Sequence, residues 1–208
     1  MENGEAREQE LETRDPDVKL MMQVRDEVPG AFQVLVERYQ HRLLGVMVHL
    51  IGRTDEAEDL TQDVFLRIYR ARKGYRPKAR FSTWLYTIAN NVAMNHLRSK
   101  GRNRAEGFGG ETTSGTFKPV EAGIPSREGT PSTEMRQAEL ADVVQEALET
   151  LGDDQKVAVL LSKFEELSYA EIAEVMGRSE AAVKSLLARA RMNLRETLEP
   201  YLRTGQRA

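Results

Sequence analysis

Long stretches of this chain carry an apolar residue at every third or fourth position, and other stretches have no apolar period at all. Between 31 and 44, AFQVLVERYQHRLL sets Phe32, Leu35, Val36, Tyr39 and Leu43 at helical spacing, which aligns them on one face. DEAEDLTQDVFLRIYR (55–70) repeats the pattern with Ala57, Leu60, Val64, Phe65 and Ile68. Thr54 is positioned to cap this second helix, and Asp55 and Glu56 suit the positive end of its dipole. A third stretch, FSTWLYTIANNVAMNHLRSKGR (81–102), aligns Phe81, Trp84, Leu85, Ile88, Ala89, Val92 and Leu97. The intervening KGYRPKAR (73–80) contains Gly74 and Pro77, which interrupt a helix. Helical periodicity returns over about 134–151, 153–165, 168–177 and 179–200, and no segment alternates as a strand would.

The segments without a period set the domain plan. Residues 1–16 are charged and poor in apolar side chains, which predicts a disordered acidic extension. Residues 101–134 are rich in Gly, Ser, Thr and Pro, the composition of a flexible linker. The expected fold class is all-α: two small helical domains, 17–100 and 135–202, joined by that linker and followed by a tail at 203–208.

Composition excludes several classes. The 208 residues are 40% apolar and 30% charged, enough to bury cores while leaving much solvated surface. No apolar run approaches the roughly 18 residues of a membrane span. The acidic, polar N-terminus is unlike a secretory signal. No cysteine is present, so disulfides and thiolate metal sites are excluded, and a cytoplasmic location fits. His41, His49 and His96 lack metal-ligand spacing, so no metal or cofactor is expected. The GFGG at 107–110 has no following GK[ST] and is not a phosphate loop. With no nucleophile–base pair either, the sequence supports no enzyme.

Net charge is only −3, but the charges are segregated. From Arg67 to Arg104 there are eleven Lys/Arg and no Asp/Glu. Asp55 to Asp63 holds five acids and no base, and Glu139 to Asp154 holds six acids and no base. Separate acidic and basic surfaces point to separate partners.

The strongest local signal is SYAEIAEVMGRSEAAVKSLLARAR (168–191). Ser168 followed by Glu171 is a capping box that starts a helix. Ile172, Ala173 and Met176 form its inner face, and Ala173 is small enough for a close helix crossing. Gly177 stands where the chain turns and a positive φ costs least. Ser179 can cap the next helix, from which Val183, Leu186 and Leu187 return to the core. This is the spacing of a helix-turn-helix. Its second helix leaves Arg178, Ser179, Glu180, Lys184, Ser185, Arg189 and Arg191 for DNA, the first residues meeting base edges in the major groove. Arg191 and Arg195 suit phosphate contacts. On this motif alone, a repressor or activator with a helical sensor domain remains an alternative.

The three N-terminal stretches, in that order and followed by the helix-turn-helix, resemble the extracytoplasmic-function (ECF) sigma factors of bacteria. The resemblance covers about residues 18–101 and 135–200. It implies a protein that binds core RNA polymerase and directs promoter-specific initiation, reading −35 duplex with the second domain and melted −10 DNA with the first. The partners implied are the β′ clamp helices and the β flap of polymerase, promoter DNA and, in many relatives, an anti-sigma factor.

The resemblance also implies residue roles. The polymerase-binding set falls on Asp55, Glu56, Glu58, Asp59, Gln62, Asp63, Phe65 and Arg67, an acidic cluster complementary to a basic surface. The −10 set falls on the 73–80 loop, with Tyr75 as a stacking aromatic and Arg76, Lys78 and Arg80 on phosphate. The following helix adds Asn90, Asn91, Asn95, Arg98 and Lys100. Trp84 is expected to pack in the core, and His96 to lie at the surface. Two positions depart from the family pattern. The loop reads RPKAR where small and acidic residues are usual, and Leu186 stands where a base is frequent. The second departure shifts the expected −35 contacts onto Lys184, Ser185 and Arg189.

Overall fold

The computed structural model describes residues 11–105 and 131–204, with side chains placed for all but 103–105, 131–138, 202 and 204. The expectations for residues 1–10, for most of the linker (106–130) and for 205–208 lie outside the described residues. Eight helices are described: α1 (Pro16–Arg25), α2 (Ala31–Ile51), α3 (Thr54–Ala71), α4 (Phe81–Ala105), α5 (Pro131–Glu149), α6 (Asp153–Lys163), α7 (Tyr169–Met176) and α8 (Glu180–Thr204). No strand occurs among the described residues.

Helices α1 to α4 form the first unit, around the faces that the periodicity marks. Val18, Met21, Leu35, Tyr39, Leu43, Met47, Val64, Ile68, Phe81 and Leu85 are buried there. Each fully buried aliphatic side chain contributes about 1.5–3 kcal/mol. The second unit packs α5, α6 and α7 against α8, over Leu148, Val157, Leu160, Ile172, Val175, Val183 and Leu187.

Five boundaries differ from expectation. The residue preceding α3 is Arg53, with no side-chain cap, and Thr54 is the first helical residue. Residues 101–105 continue α4 and 131–134 begin α5, so both ends of the expected linker are helical. Residues 11–16 are ordered: Leu11 to Arg14 form a helical turn, and the Asp15 carboxylate accepts the Asp17 N–H at 2.9 Å and the Phe81 N–H at 2.9 Å. Asp15 thereby caps α1 and ties it to the start of α4. Helix α8 runs past Pro200 to Thr204, into the expected tail.

The two units are in contact. Helix α4 packs against α7 and α2 against α6, and the buried apolar side chains of both units join in one continuous cluster.

Candidate nucleic-acid interface

The helix-turn-helix forms as its local sequence dictates. Ser168 Oγ accepts the Glu171 N–H at 3.3 Å, and Glu171 Oε2 accepts the Ser168 N–H at 2.8 Å. Gly177 ends α7 in the left-handed region at φ +61°. The next amide, Arg178 N–H, donates back to Ala173 O at 2.9 Å, satisfying a carbonyl at the helix end. Ser179 Oγ accepts the Ala182 N–H at 3.2 Å, capping α8. Val183, Leu187 and Ala190 are buried and Leu186 is half-buried, so rotation of α8 about its axis is set by the core.

That rotation leaves Arg178, Ser179, Glu180, Lys184, Ser185, Arg189 and Arg191 exposed on one run of the helix. Several have local partners. Arg178 pairs with Asp154, Lys184 Nζ lies 2.8 Å from Glu180 Oε1, and Arg191 Nη2 donates to the Tyr169 hydroxyl at 3.2 Å. Among the described residues, Arg189 donates only to Ser185 O of its own helix, at 3.4 Å. Exposed pairs of this kind contribute little, so DNA phosphates and base edges can displace them.

The loop and helix of the first unit divide differently from expectation. Tyr75 is 3% exposed, with its ring 4.8 Å from that of Trp84. A short turn at Arg72–Gly74 folds the chain back so that this side chain enters the core, and burial raises its hydroxyl pKa. Tyr75 therefore offers no free ring face for a base. Trp84 packs between Tyr75 and Phe81, as expected for a core residue. Arg76, Lys78 and Arg80 are exposed in the loop, and Asn91, Asn95 and Arg98 are exposed along α4. Asn90 is half-buried and donates to Val175 O of α7 at 3.5 Å. Arg80 Nη1 lies 3.5 Å from Glu171 Oε1.

Lys100 is turned away from the expected DNA surface. Its ammonium lies 3.0 Å from Glu56 Oε2, and His96 Nε2 lies 2.8 Å from the same oxygen. Glu56 is thus directed inward from the acidic helix. Its partial burial raises the carboxyl pKa, but Lys100 and His96 outweigh that and hold it below the ordinary value. The cluster joins α3 to α4.

On the outer face of α3, Asp55, Glu58, Asp59 and Gln62 are exposed, and Asp63 and Arg67 pair at 2.9 Å. Phe65 is 7% exposed and belongs to the core, because it shares the inner face of α3 with Val64 and Ile68. It cannot present its ring to a partner in this arrangement. The apolar surface on this helix comes instead from Leu66 and Tyr69, both exposed. Leu66 follows Asp59 and Gln62 at helical spacing, a signal that was present in the sequence. No cluster of metal-ligating side chains occurs among the described residues, and no helix there is long and apolar enough to cross a membrane.

These surfaces coincide with known sequence families. Residues 35–103 match Sigma-70 region 2 and residues 141–194 match Sigma-70, region 4. The RNA polymerase sigma-H factor of Pseudomonas aeruginosa is 34% identical over 200 residues, covering 92% of this chain and 98% of that one. The ECF RNA polymerase sigma-E factor of Escherichia coli K12 is 32% identical over 182 residues, covering 83% of this chain and 89% of that one. The chain belongs to the ECF sigma factors. As a sigma factor it directs promoter-specific transcription initiation by RNA polymerase. The fold of this sigma factor is also similar to that of RpoE from Bartonella quintana, solved with the anti-sigma factor NepR, at a TM-score of 0.66 and 25% identity, covering 82% of this chain and 98% of that one.

Proposed function

We propose that the two units of this sigma factor divide promoter recognition between them. Arg178, Ser179, Glu180, Lys184, Ser185 and Arg189 enter the −35 major groove, and Arg191 and Arg195 hold phosphates. Arg76, Lys78, Arg80, Asn90, Asn91, Asn95 and Arg98 receive the melted −10 strand, where basic groups neutralise phosphate and amides read base edges. The observation that carries this reading is a capped helix-turn-helix with a basic outer face, beside a second helix, α4, whose exposed flank is also basic and amide-rich.

Core polymerase docks on the outer face of α3, through Asp55, Glu58, Asp59, Gln62, Asp63, Leu66 and Arg67. Acid around one exposed leucine suits a basic partner helix of the polymerase clamp, and the β flap receives the second unit. The chemistry remains with polymerase, and the protein acts in the cytoplasm. The Bartonella neighbour is held by an anti-sigma factor, and the same class of partner is proposed here.

Run-off transcription with core polymerase tests the reading. The expected result is promoter-specific transcript only when the protein is added. Duplex binding without core, and no specific transcript with it, would instead favour a repressor or activator.

A further inference from the structure

The loop assigned above to the −10 strand is held at both ends by α1, a helix to which that assignment gives no part. At the loop's exit, the Asp15 carboxylate acts twice. Its Oδ1 accepts the Asp17 N–H and caps α1, while its Oδ2 accepts the Phe81 N–H at the start of α4, each at 2.9 Å. A first-turn amide has no partner within its own helix, so α4 takes this one from a residue 66 positions earlier. At the loop's entry, Glu27 Oε1 lies 2.8 Å from Arg72 Nη2 and 3.3 Å from Lys73 Nζ. Arg72 is fixed in turn. Its guanidinium stacks 3.8 Å from the centre of the Tyr69 ring and donates to Tyr69 O at 2.8 Å.

Glu27 stands at a position that favours glycine. Val28 N–H donates to Gln23 O and Glu27 N–H to Val24 O, the bonding of a helix whose chain leaves through a left-handed residue. Glu27 is that residue, at φ +59°. Glycine would take this conformation without strain, so what glutamate adds here is its carboxylate. Helix α1 is itself anchored. Val18, Met21 and Val24 are buried, and the Asp17 carboxylate bonds Arg38 and the Tyr39 hydroxyl of α2. Its ten residues span about 15 Å, which sets the distance between the two grips. Between them Tyr75 and Pro77 are buried, while Arg76, Lys78 and Arg80 are exposed. The three cations are thus presented on a shaped ridge.

We propose that α1 braces the −10 loop, with Asp15 and Glu27 as positioning residues that govern which bases it captures without reaching DNA themselves. The inference rests on the assignment of Arg76, Lys78 and Arg80 to the melted strand. A loop held in shape before binding loses little freedom when it closes on a base, and it resists adapting to a wrong one. A slack loop holds the right base more weakly and rejects the wrong one less.

Two substitutions release the grips and spare the helix. Glu27→Gly removes the carboxylate and suits φ +59°. Asp15→Ser still caps α1, but its single, shorter oxygen cannot also reach the Phe81 N–H. Each full-length variant is assembled with core polymerase and offered single-stranded DNA of randomised sequence, and the bound molecules are sequenced. In both variants the preference for the best base over the worst should fall about fivefold. Core affinity, and the preference read from a randomised duplex pool, should not change. The melting temperature should hold for Glu27→Gly and drop slightly for Asp15→Ser. Unchanged single-strand preference in either variant overturns the grip it removes. If preference falls only where core affinity falls with it, the two residues are merely structural and the positioning role is overturned. If the wild type shows no single-strand preference, or Lys78→Ala keeps all of it, the −10 assignment of this loop fails and the brace with it.

Discussion

Glu165 Oε2 and Arg42 Nη2 lie 2.7 Å apart across the boundary between the two helical units, and the pair is asymmetric. The carboxylate side chain is 2% exposed, whereas the guanidinium side chain is 53% exposed. Packing of the two units removes water mainly from the acid. Burial pushes its pKa above the ordinary carboxylate value, although the Tyr86 hydroxyl and Arg42 pull the other way.

That asymmetry makes the packing of the two units sensitive to pH. The groups facing Glu165 are Arg42 from α2 and Tyr86 from α4, with Tyr39 behind Tyr86. Its pKa is raised in the folded chain, so folding takes up a proton at this site. The stability this site contributes should be full below the ordinary carboxylate value and should be lost as pH rises through the raised one. Thermal melts of the full chain across that range check this. Glu165→Gln should flatten the response, and an equal response in that variant would trace it to another group.

Arg189→Ala should weaken −35 recognition by roughly fivefold to 150-fold, equivalent to about 1–3 kcal/mol for a lost base contact. Among the described residues its guanidinium bonds only to Ser185 O of its own helix, so the fold should lose little. Holoenzyme binding to promoter and to a −35-scrambled control should converge, with core affinity unchanged. A parallel loss of core affinity would contradict the division between the units.

Leu66→Ala should reduce affinity for core polymerase about tenfold, as expected for an apolar anchor ringed by polar groups. The side chain is 53% exposed, so the melting temperature should hardly move. Asp59→Lys should act mainly on the association rate and its salt dependence. Competition binding to core enzyme distinguishes these from Phe65→Ala, whose effect should be a loss of stability of about 3–5 kcal/mol from its buried ring.

Gly177→Ala should destabilise the second unit by about 1 kcal/mol. A Cβ at this position would meet nothing within 4 Å, so the cost comes from φ +61° alone. Gly177→Asn should recover most of it, because Asn tolerates the left-handed region better. Thermal melts of the pair separate backbone strain from crowding.

The helix-turn-helix was legible in the sequence because everything that builds it is local. Ser168, Glu171, Gly177 and Ser179 act on amides within a few residues, and the spacing of Val183 and Leu187 sets the outer face without reference to distant chain. Tyr75 was harder to place, because an aromatic in a basic loop reads as a contact and only its packing against Trp84 shows it to be core. Phe65 was read two ways, on the apolar face by its spacing and as a polymerase contact by resemblance, and its burial beside Val64 and Ile68 sides with the spacing. Leu66 is the reverse case: the period marked it as outward, but its apolar character did not advertise a surface. The contact between units left almost no sequence signal. Glu165 sits in a polar turn that resembles solvated chain, and its partner lies far away on α2.

One small cluster has mechanical reach. Because Glu56 binds both His96 and Lys100, α3, the helix proposed to meet polymerase, is cross-linked to α4, the helix proposed to meet the melted strand. On that proposal, seating α3 on the enzyme also aims α4 at the DNA. The angle at which the strand is caught is then inherited from the docking angle, with no separate joint to adjust.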